Sequence, residues 1–276
     1  MKLAPAEVVV VIPTYNEKRN IKILVPQVLK VLEQRALGQR ALGQRALGQR
    51  ALEQSEQSGL SGGGKIVVVD DNSPDGTAEA VKEWTRRCEN VFLLSRKEKG
   101  GLGSAYVVGF KFAIERLRAG VVFEMDGDCS HDPKDIPRFL DEFKSGRNGY
   151  DVVVGSRYIQ GGAIPKWGLY RRLVSRGGNF FARTVAGIPV HDCTSGYRAI
   201  RTAKLKEVEL DALNVQGYAF QICLLHALIE KGAKVKEIPI VFSERRSGES
   251  KLGNGDIKEF FFNSFRLRLK KHSKKV

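Results

Sequence analysis

Unbroken runs of valine and isoleucine recur along the chain, each stopping at a cluster of polar turn residues. Val8 to Ile12, Ile66 to Val69 and Val152 to Val154 are such runs. A strand wetted on one face alternates apolar and polar residues, whereas a strand buried on both faces has no need to. After the first run the apolar positions switch to Ile21, Leu24, Val25, Val28, Leu29 and Leu32, the spacing of one helix face. Strand, turn and helix in this order predict an α/β fold with a Rossmann-like mixed sheet flanked by helices. Ligands in such folds sit beyond the carboxyl ends of the strands. Function is therefore to be sought in the polar clusters that end the runs.

The most telling cluster follows Val121 to Met125, where Asp126 and Asp128 stand one residue apart. Residues i and i+2 of a strand face the same side. Two carboxylates converging at a strand end suit Mg²⁺ or Mn²⁺, and such an ion suits a substrate diphosphate. The same pattern also describes solvated turn acids; read as a metal ligand, Asp128 is expected to be exposed, so that its loss costs no core contact. Pro13 to Glu17 ends the first run, and Asp70 to Thr77 ends the second. Asp75 or Thr77 can cap the helix that follows, but capping explains only one of three acids. Gly100, Gly101 and Gly103 follow a third strand, Val91 to Leu94. They are not a dinucleotide fingerprint, because Tyr106 occupies the last glycine position and the motif does not follow the first strand. Glycines opening a helix, Gly101 among them, still let backbone N–H groups approach a phosphate or sugar. His131 reads either as a metal ligand or as a packing residue beside Pro133.

Arginine dominates the second half. Arg157 ends a buried strand, and Arg171, Arg172, Arg176 and Arg183 lie in a helical region over residues 167–187. Such a cluster is either a solvated face or a phosphate site, since the planar guanidinium fork matches phosphate. Pro239 keeps the strand around it out of the middle of the sheet. The polar, glycine-bearing stretch from Glu244 to Gly253 suits a closing loop.

Residues 35–54 are four copies of Arg-Ala-Leu-Gly-Gln, the last with Glu53 in place of glycine. A five-residue repeat turns about 140° per copy on a helix, so its leucines spiral and form no single buried face. Residues 35–64 read as an inserted, helix-prone repeat with a glycine-rich connector, outside catalysis. The domain reading is one catalytic domain over 1–255 and a basic amphipathic tail over 256–276. The tail sets Ile257, Phe260, Phe261, Phe265 and Leu269 at helical spacing, with Arg266, Arg268, Lys270, Lys271, Lys274 and Lys275 as its basic cluster. An apolar face with a basic cluster is the pattern of a helix lying on an anionic membrane. The net charge of +15 favours polyanionic partners. Nucleic acid is disfavoured, because the acids cluster at strand ends and no aromatic-basic recognition motif appears. The scattered Cys88, Cys129, Cys193 and Cys223 give no metal pair and suit a reducing cytoplasm. No signal peptide and no spanning segment is read.

Taken together, the polar clusters resemble those of the dolichyl- or polyprenyl-phosphate mannosyltransferases, inverting glycosyltransferases of GT-A fold. The matching stretches run in order from Pro13–Glu17 through Asp70–Thr77, Lys99–Tyr106, Asp126–His131 and Gly155–Tyr158. They continue with Ser175–Asn179, Asp192–Arg198, Gly217–Gln221 and Gly248–Gly253. The resemblance implies that Pro13, Tyr15, Glu17, Asp71 and Gly101 hold GDP-mannose. It implies that Asp126 and Asp128 bind Mg²⁺ or Mn²⁺ on its diphosphate. Arg157, Arg171 and Ser175 would receive the acceptor phosphate, with Arg245 and Lys251 in the closing loop. The implied enzyme works at the cytoplasmic face of a membrane, reached through the basic tail or a separate membrane subunit. A UDP-sugar such as UDP-glucose is the alternative donor. Two departures stand out: Gly127 replaces the family's usual alanine, and Cys223 stands where an acid is common.

Overall fold

The computed structural model describes residues 7–47, 63–143, 149–213, 215, 217–244 and 262–268. One sheet contains β1 (Val8–Thr14), β2 (Lys65–Asp70), β3 (Val91–Ser95), β4 (Val121–Glu124), β5 (Val152–Ser156), β6 (Arg198–Arg201) and β7 (Val235–Pro239). The strand order is β3-β2-β1-β4-β6-β5-β7. Only β6 runs against its neighbours, β4 and β5; every other pairing is parallel. Two successive reversals restore direction, so β5 points the same way as β4. The carboxyl ends of β1, β2, β4 and β5 therefore share one edge of the sheet.

The unbroken runs are explained by burial on both faces. Val9, Val11, Val67, Val69, Val152 and Val154 pack on one side. There they meet α3 (Leu102–Glu115), α5 (Leu169–Ala186), the short α6 (Thr202–Leu205) and α7 (Gly217–Glu230). Val8, Val10, Ile12, Ile66, Val68 and Val153 pack on the other, against α1 (Lys18–Leu47), α2 (Thr77–Arg87) and α4 (Ile136–Glu142). Alternate residues of one strand thus feed two cores, as the period of two requires. Close approach constrains glycine where helix meets sheet. A Cβ at Gly109 of α3 would lie 2.3 Å from Val11 Cγ1.

β1 runs two residues beyond the end of the valine run, through Pro13 to Thr14. Its pairing with β4 stops at Val11, opposite Glu124, so the missing N–H of Pro13 is tolerated at a strand end. β7 lies at the sheet edge and ends on Pro239, as its proline requires. Among the described side chains of α1, which run to Gly38, Leu32 is the last buried apolar one, and the helix continues to Leu47, about 22 Å beyond Leu32 by helix rise. The first repeats are thus helical, as their composition predicts; residues 48–62 lie outside the described residues. Arg35 reaches back to Pro137 O at 3.5 Å and Asp141 Oδ1 at 3.4 Å. Residues 262–268 are also helical, with Asn263 and Ser264 buried and the Phe265 ring against Phe181. Among the described residues no helix is long and apolar enough to cross a membrane.

Candidate active site

The loop after β1 and the loop after β2 are knitted together. Asp70 Oδ1 accepts from Thr14 Oγ1 at 3.0 Å, and Ser73 Oγ accepts from the Asn16 N–H at 3.0 Å. Asp75 takes the Lys18 N–H on one oxygen and the Thr77 N–H on the other, capping α1 and α2 together. Thr77 Oγ1 accepts the Glu17 N–H at 3.0 Å. Asp71, the third acid of this stretch, is buried and ion-paired to Arg96 Nε at 2.6 Å. It also accepts the Gly101 N–H at 2.8 Å, where Gly101 turns into α3 with φ of 84°. Burial raises the Asp71 carboxyl above its ordinary range, opposed by the Gly101 N–H and by Arg96. Local partners thus account for all three acids. Pro13, Tyr15, Glu17, Asp71 and Gly101 meet at one end of β1 and β2. Lys99 lies over the Tyr15 ring, 4.1 Å from its centre, and Glu17 Oε2 accepts from Asn20 Nδ2 at 2.6 Å.

Next to them, Asp126 follows the end of β4. Its side chain is one-third exposed, and Tyr106 of α3 reaches its Oδ1 at 3.4 Å. Gly196 presses close from the loop before β6, where an added Cβ would stand 3.1 Å from that same oxygen. Asp128 differs from the expectation of an exposed ligand. It is buried, and its Oδ1 accepts the Ser130 N–H at 3.0 Å, because Cys129 turns the chain with φ of 62°. Removing it would loosen this turn as well as delete a carboxylate. Gly127 sits under Pro13 and Thr14, where a Cβ would meet Pro13 O and Thr14 Cγ2, each at 3.2 Å. An alanine there needs its neighbours to yield by a few tenths of an ångström.

His131 resolves as a packing residue. It stacks on Tyr197 with centroids 4.7 Å apart and accepts the Asp126 N–H on Nδ1 at 3.2 Å. Its proton therefore resides on Nε2, which lies 3.9 Å from Asp126 Oδ2. Among the described residues no cluster of three His, Cys, Asp or Glu side chains could hold a metal. An octahedral cation that takes its remaining ligands from phosphates and water needs only two carboxylates from the protein.

On the far side of β6, Arg157 follows β5. It is buried, and its guanidinium is gripped by Asp192, with Nε at 2.7 Å and Nη2 at 2.6 Å. Nη2 also donates to Thr194 Oγ1 at 2.9 Å. Tyr158, Trp167 and Phe242 surround the cation with rings. Any phosphate that meets Arg157 therefore meets a cation whose charge a carboxylate already balances. The other two residues expected at the acceptor phosphate lie on the first turns of α5. Arg171 stacks on Trp167 at 3.9 Å, and Ser175 Oγ accepts from Tyr158 OH at 2.6 Å. Arg245 and Lys251 lie outside the described residues.

Beneath the site a buried pair ties these parts to the sheet. Glu124 and Arg198 face each other across β4 and β6, both wholly buried, with Oε2 and Nε 3.7 Å apart. Arg198 donates to Gln221 O at 2.6 Å and Cys193 O at 2.7 Å, anchoring α7 and the loop before β6. Burial pushes the Glu124 carboxyl up to about 8, against the pull of Arg198. Cys223 is buried on α7 and supplies no carboxylate where an acid was expected. Sequence reasoning gave no role to Tyr106, Arg96, Asn179, Asp192, Thr194 or Glu237. Tyr106, Asn179, Asp192 and Thr194 lay within the resembling stretches, whereas Arg96 and Glu237 carried no signal.

Known proteins resemble this chain in sequence and in fold. Residues 53–209 match the model of glycosyl transferase family 2. Polyprenol monophosphomannose synthase of Mycolicibacterium smegmatis is 35% identical over 254 residues, 92% of this chain and 83% of that protein. Undecaprenyl-phosphate mannosyltransferase of Micrococcus luteus is 38% identical over 204 residues, 74% of this chain and 82% of that protein. The fold recurs in glucosyl-3-phosphoglycerate synthase of Mycobacterium tuberculosis, crystallised with Mn²⁺ and UDP-glucose. That match has a TM-score of 0.60 and 16% identity, over 97% of this chain and 79% of that one. It recurs in mannosyl-3-phosphoglycerate synthase of Rubrobacter xylanophilus, with a TM-score of 0.58 and 17% identity, over 98% and 75%. The sheet, its helices and the shared edge are those of a GT-A glycosyltransferase. The chain belongs to glycosyl transferase family 2 and, within it, to the polyprenyl-phosphate mannosyltransferases.

Proposed function

We propose that this enzyme transfers mannose from GDP-mannose to a polyprenyl or dolichyl phosphate, with inversion at the anomeric carbon. The observation that carries the reading is the order of groups along one sheet edge. Loops of β1 and β2 lie on one side of Asp126, and Arg157 with Arg171 and Ser175 of α5 lies on the other. Donor, leaving group and acceptor then follow one another along the carboxyl ends of the strands. Both mannosyltransferase relatives support mannose as the sugar and a polyprenyl phosphate as its acceptor.

Asp126 and Asp128 would hold a divalent cation, Mg²⁺ or Mn²⁺, which when bound neutralises the charge of the departing diphosphate. Pro13, Tyr15, Glu17, Asp71 and Gly101 seat the nucleoside end of the donor. A phosphate monoester is already ionised near neutral pH, so attack on the sugar needs no strong base. Arg157, Arg171 and Ser175 orient that phosphate against its repulsion from the diphosphate. A bond forms from acceptor oxygen to the anomeric carbon as the bond to the GDP oxygen breaks. An α-linked donor thereby yields a β-linked mannosyl phospholipid. Arg245 and Lys251 are proposed to close over the donor.

A lipid acceptor also accounts for the outer face of α5. Leu169, Tyr170, Leu173 and Val174 are all at least half exposed beside Arg171 and Ser175. Apolar side chains interleaved with arginines suit the surface of an anionic membrane. The enzyme is thus proposed to work peripherally at the cytoplasmic face, helped by the basic tail or by a membrane subunit. The UDP-glucose bound by the Mycobacterium tuberculosis neighbour keeps a UDP-sugar as the second reading for the donor. A panel of radiolabelled nucleotide sugars offered with a short polyprenyl phosphate decides it. Label entering lipid from GDP-mannose alone supports the first reading, and label from UDP-glucose alone the second.

A further inference from the structure

Arg157 is held by an apparatus larger than one ion pair. Asp192, wholly buried, accepts three of its N–H groups: the backbone N–H at 2.9 Å, Nε at 2.7 Å and Nη2 at 2.6 Å. The loop carrying Asp192 is itself clamped from β7. Glu237 takes the Asp192 N–H at 3.0 Å on one oxygen and the His191 N–H at 2.9 Å on the other. His191 Nδ1 lies 2.8 Å from that second oxygen. On the opposite side Thr194 links the loop to α5. Asn179 Nδ2 donates to Thr194 Oγ1 at 3.0 Å, and the Thr194 N–H donates to Asn179 Oδ1 at 3.2 Å. Edge strand, loop, arginine and helix form one hydrogen-bonded chain.

This construction is a poor way to attract an anion, because Asp192 cancels the charge of Arg157. It is a good way to fix direction, since a carboxylate gripping Nε and Nη2 leaves the guanidinium plane no rotation. We propose that Asp192 and Glu237 are positioning residues for the acceptor phosphate, setting the orientation of Arg157 relative to Arg171 and Ser175 on α5. The inference rests on the reading that these three residues receive that phosphate.

Three roles for Asp192 predict different outcomes. As a neighbouring charge it repels phosphate, so Asp192→Asn would tighten anion binding. As a purely structural element it would change stability and leave affinity alone. As a positioning residue its loss weakens binding, because the amide turns a donor toward Arg157 and forces the guanidinium to rotate. Glu237→Gln places the same conflict one step out, at the sheet edge, where the Arg157–Asp192 pair itself remains intact.

The experiment is calorimetric titration of the full-length wild type, Asp192→Asn and Glu237→Gln with farnesyl phosphate and, separately, with GDP and Mn²⁺. Both variants are expected to bind farnesyl phosphate about tenfold more weakly and GDP unchanged. Unchanged or tighter farnesyl phosphate binding in Glu237→Gln, or in a folded Asp192→Asn, overturns the inference. Wild-type protein that binds GDP but not farnesyl phosphate would instead overturn the acceptor reading, and the inference with it. The two failures are therefore told apart by the wild type.

Discussion

Single side chains set two of the properties open to test. His131 is buried against Tyr197 with Nδ1 committed to the Asp126 N–H. Burial lowers its imidazole from 6.5 to about 4, against the pull of Asp128. Above pH 6.5 it is neutral in folded and unfolded chain alike, and stability is unaffected. Below that, the unfolded chain takes up a proton that the folded chain refuses, so stability falls as pH drops toward 4. The loss between pH 7 and 5 is roughly 2 kcal/mol. Urea unfolding of His131→Gln, which keeps an acceptor for the Asp126 N–H, should show an acid limb shallower by that amount. Asp126 makes the contrasting case. Its carboxylate is one-third exposed, so Asp126→Asn should keep its melting temperature within a few degrees. Its kcat should fall about a hundredfold or more, if that carboxylate holds the cation of the leaving group. Steady-state kinetics beside a thermal melt measures both. The residue scale is also where the sequence was least legible. The Asp126 and Asp128 pair was visible as a pattern, but nothing in it said that one acid is buried in a turn and the other faces solvent. Asp192 lies 35 residues beyond Arg157 in the chain, and only the reversal of direction at β6 brings the two together.

At the scale of elements the reading was more secure, because periodicity reports burial directly. The valine runs became strands since only two-sided burial accommodates them, and Pro239 became an edge for want of an N–H. What periodicity could not give was the antiparallel insertion of β6. It rests on the buried Glu124–Arg198 pair and on a loop of polar residues with no alternation. The repeat is the converse case. Its leucines spiral, and the first of them, Leu37, is 63% exposed. Replacing residues 39–58 with a short Gly-Ser linker should therefore leave melting temperature and turnover close to wild type. Arg35 is kept because it reaches Pro137 and Asp141. A folded deletion without activity would show that the repeat contributes to the site. On α5, Leu173 and Val174 are 59% and 50% exposed. Serine at both positions should change stability by less than about 0.5 kcal/mol. The KM for a long-chain polyprenyl phosphate should rise several-fold while that for a water-soluble short-chain acceptor stays put. Equal effects on the two acceptors would remove α5 from contact with the lipid chain.

The whole molecule carries a net charge of +15, and arginines share α5 with exposed apolar side chains. Each basic residue near an anionic leaflet contributes roughly 1 kcal/mol, so a few acting together hold a protein there reversibly. Flotation with anionic vesicles should therefore succeed in low salt, weaken in high salt and fail with neutral vesicles. Glutamine at Lys270, Lys271, Lys274 and Lys275 should reduce it further. All of this serves one claim, that a single sheet edge brings a nucleotide-linked mannose to a lipid phosphate. The most direct measurement is transfer of radiolabel from GDP-mannose to a short polyprenyl phosphate by the purified enzyme, with and without chelator. The account predicts an organic-soluble, acid-labile mannosyl phospholipid of β configuration, formed with Mg²⁺ or Mn²⁺ and abolished by chelator. A folded, metal-loaded enzyme that leaves GDP-mannose untouched, or passes its mannose to water but never to the lipid phosphate, would contradict it.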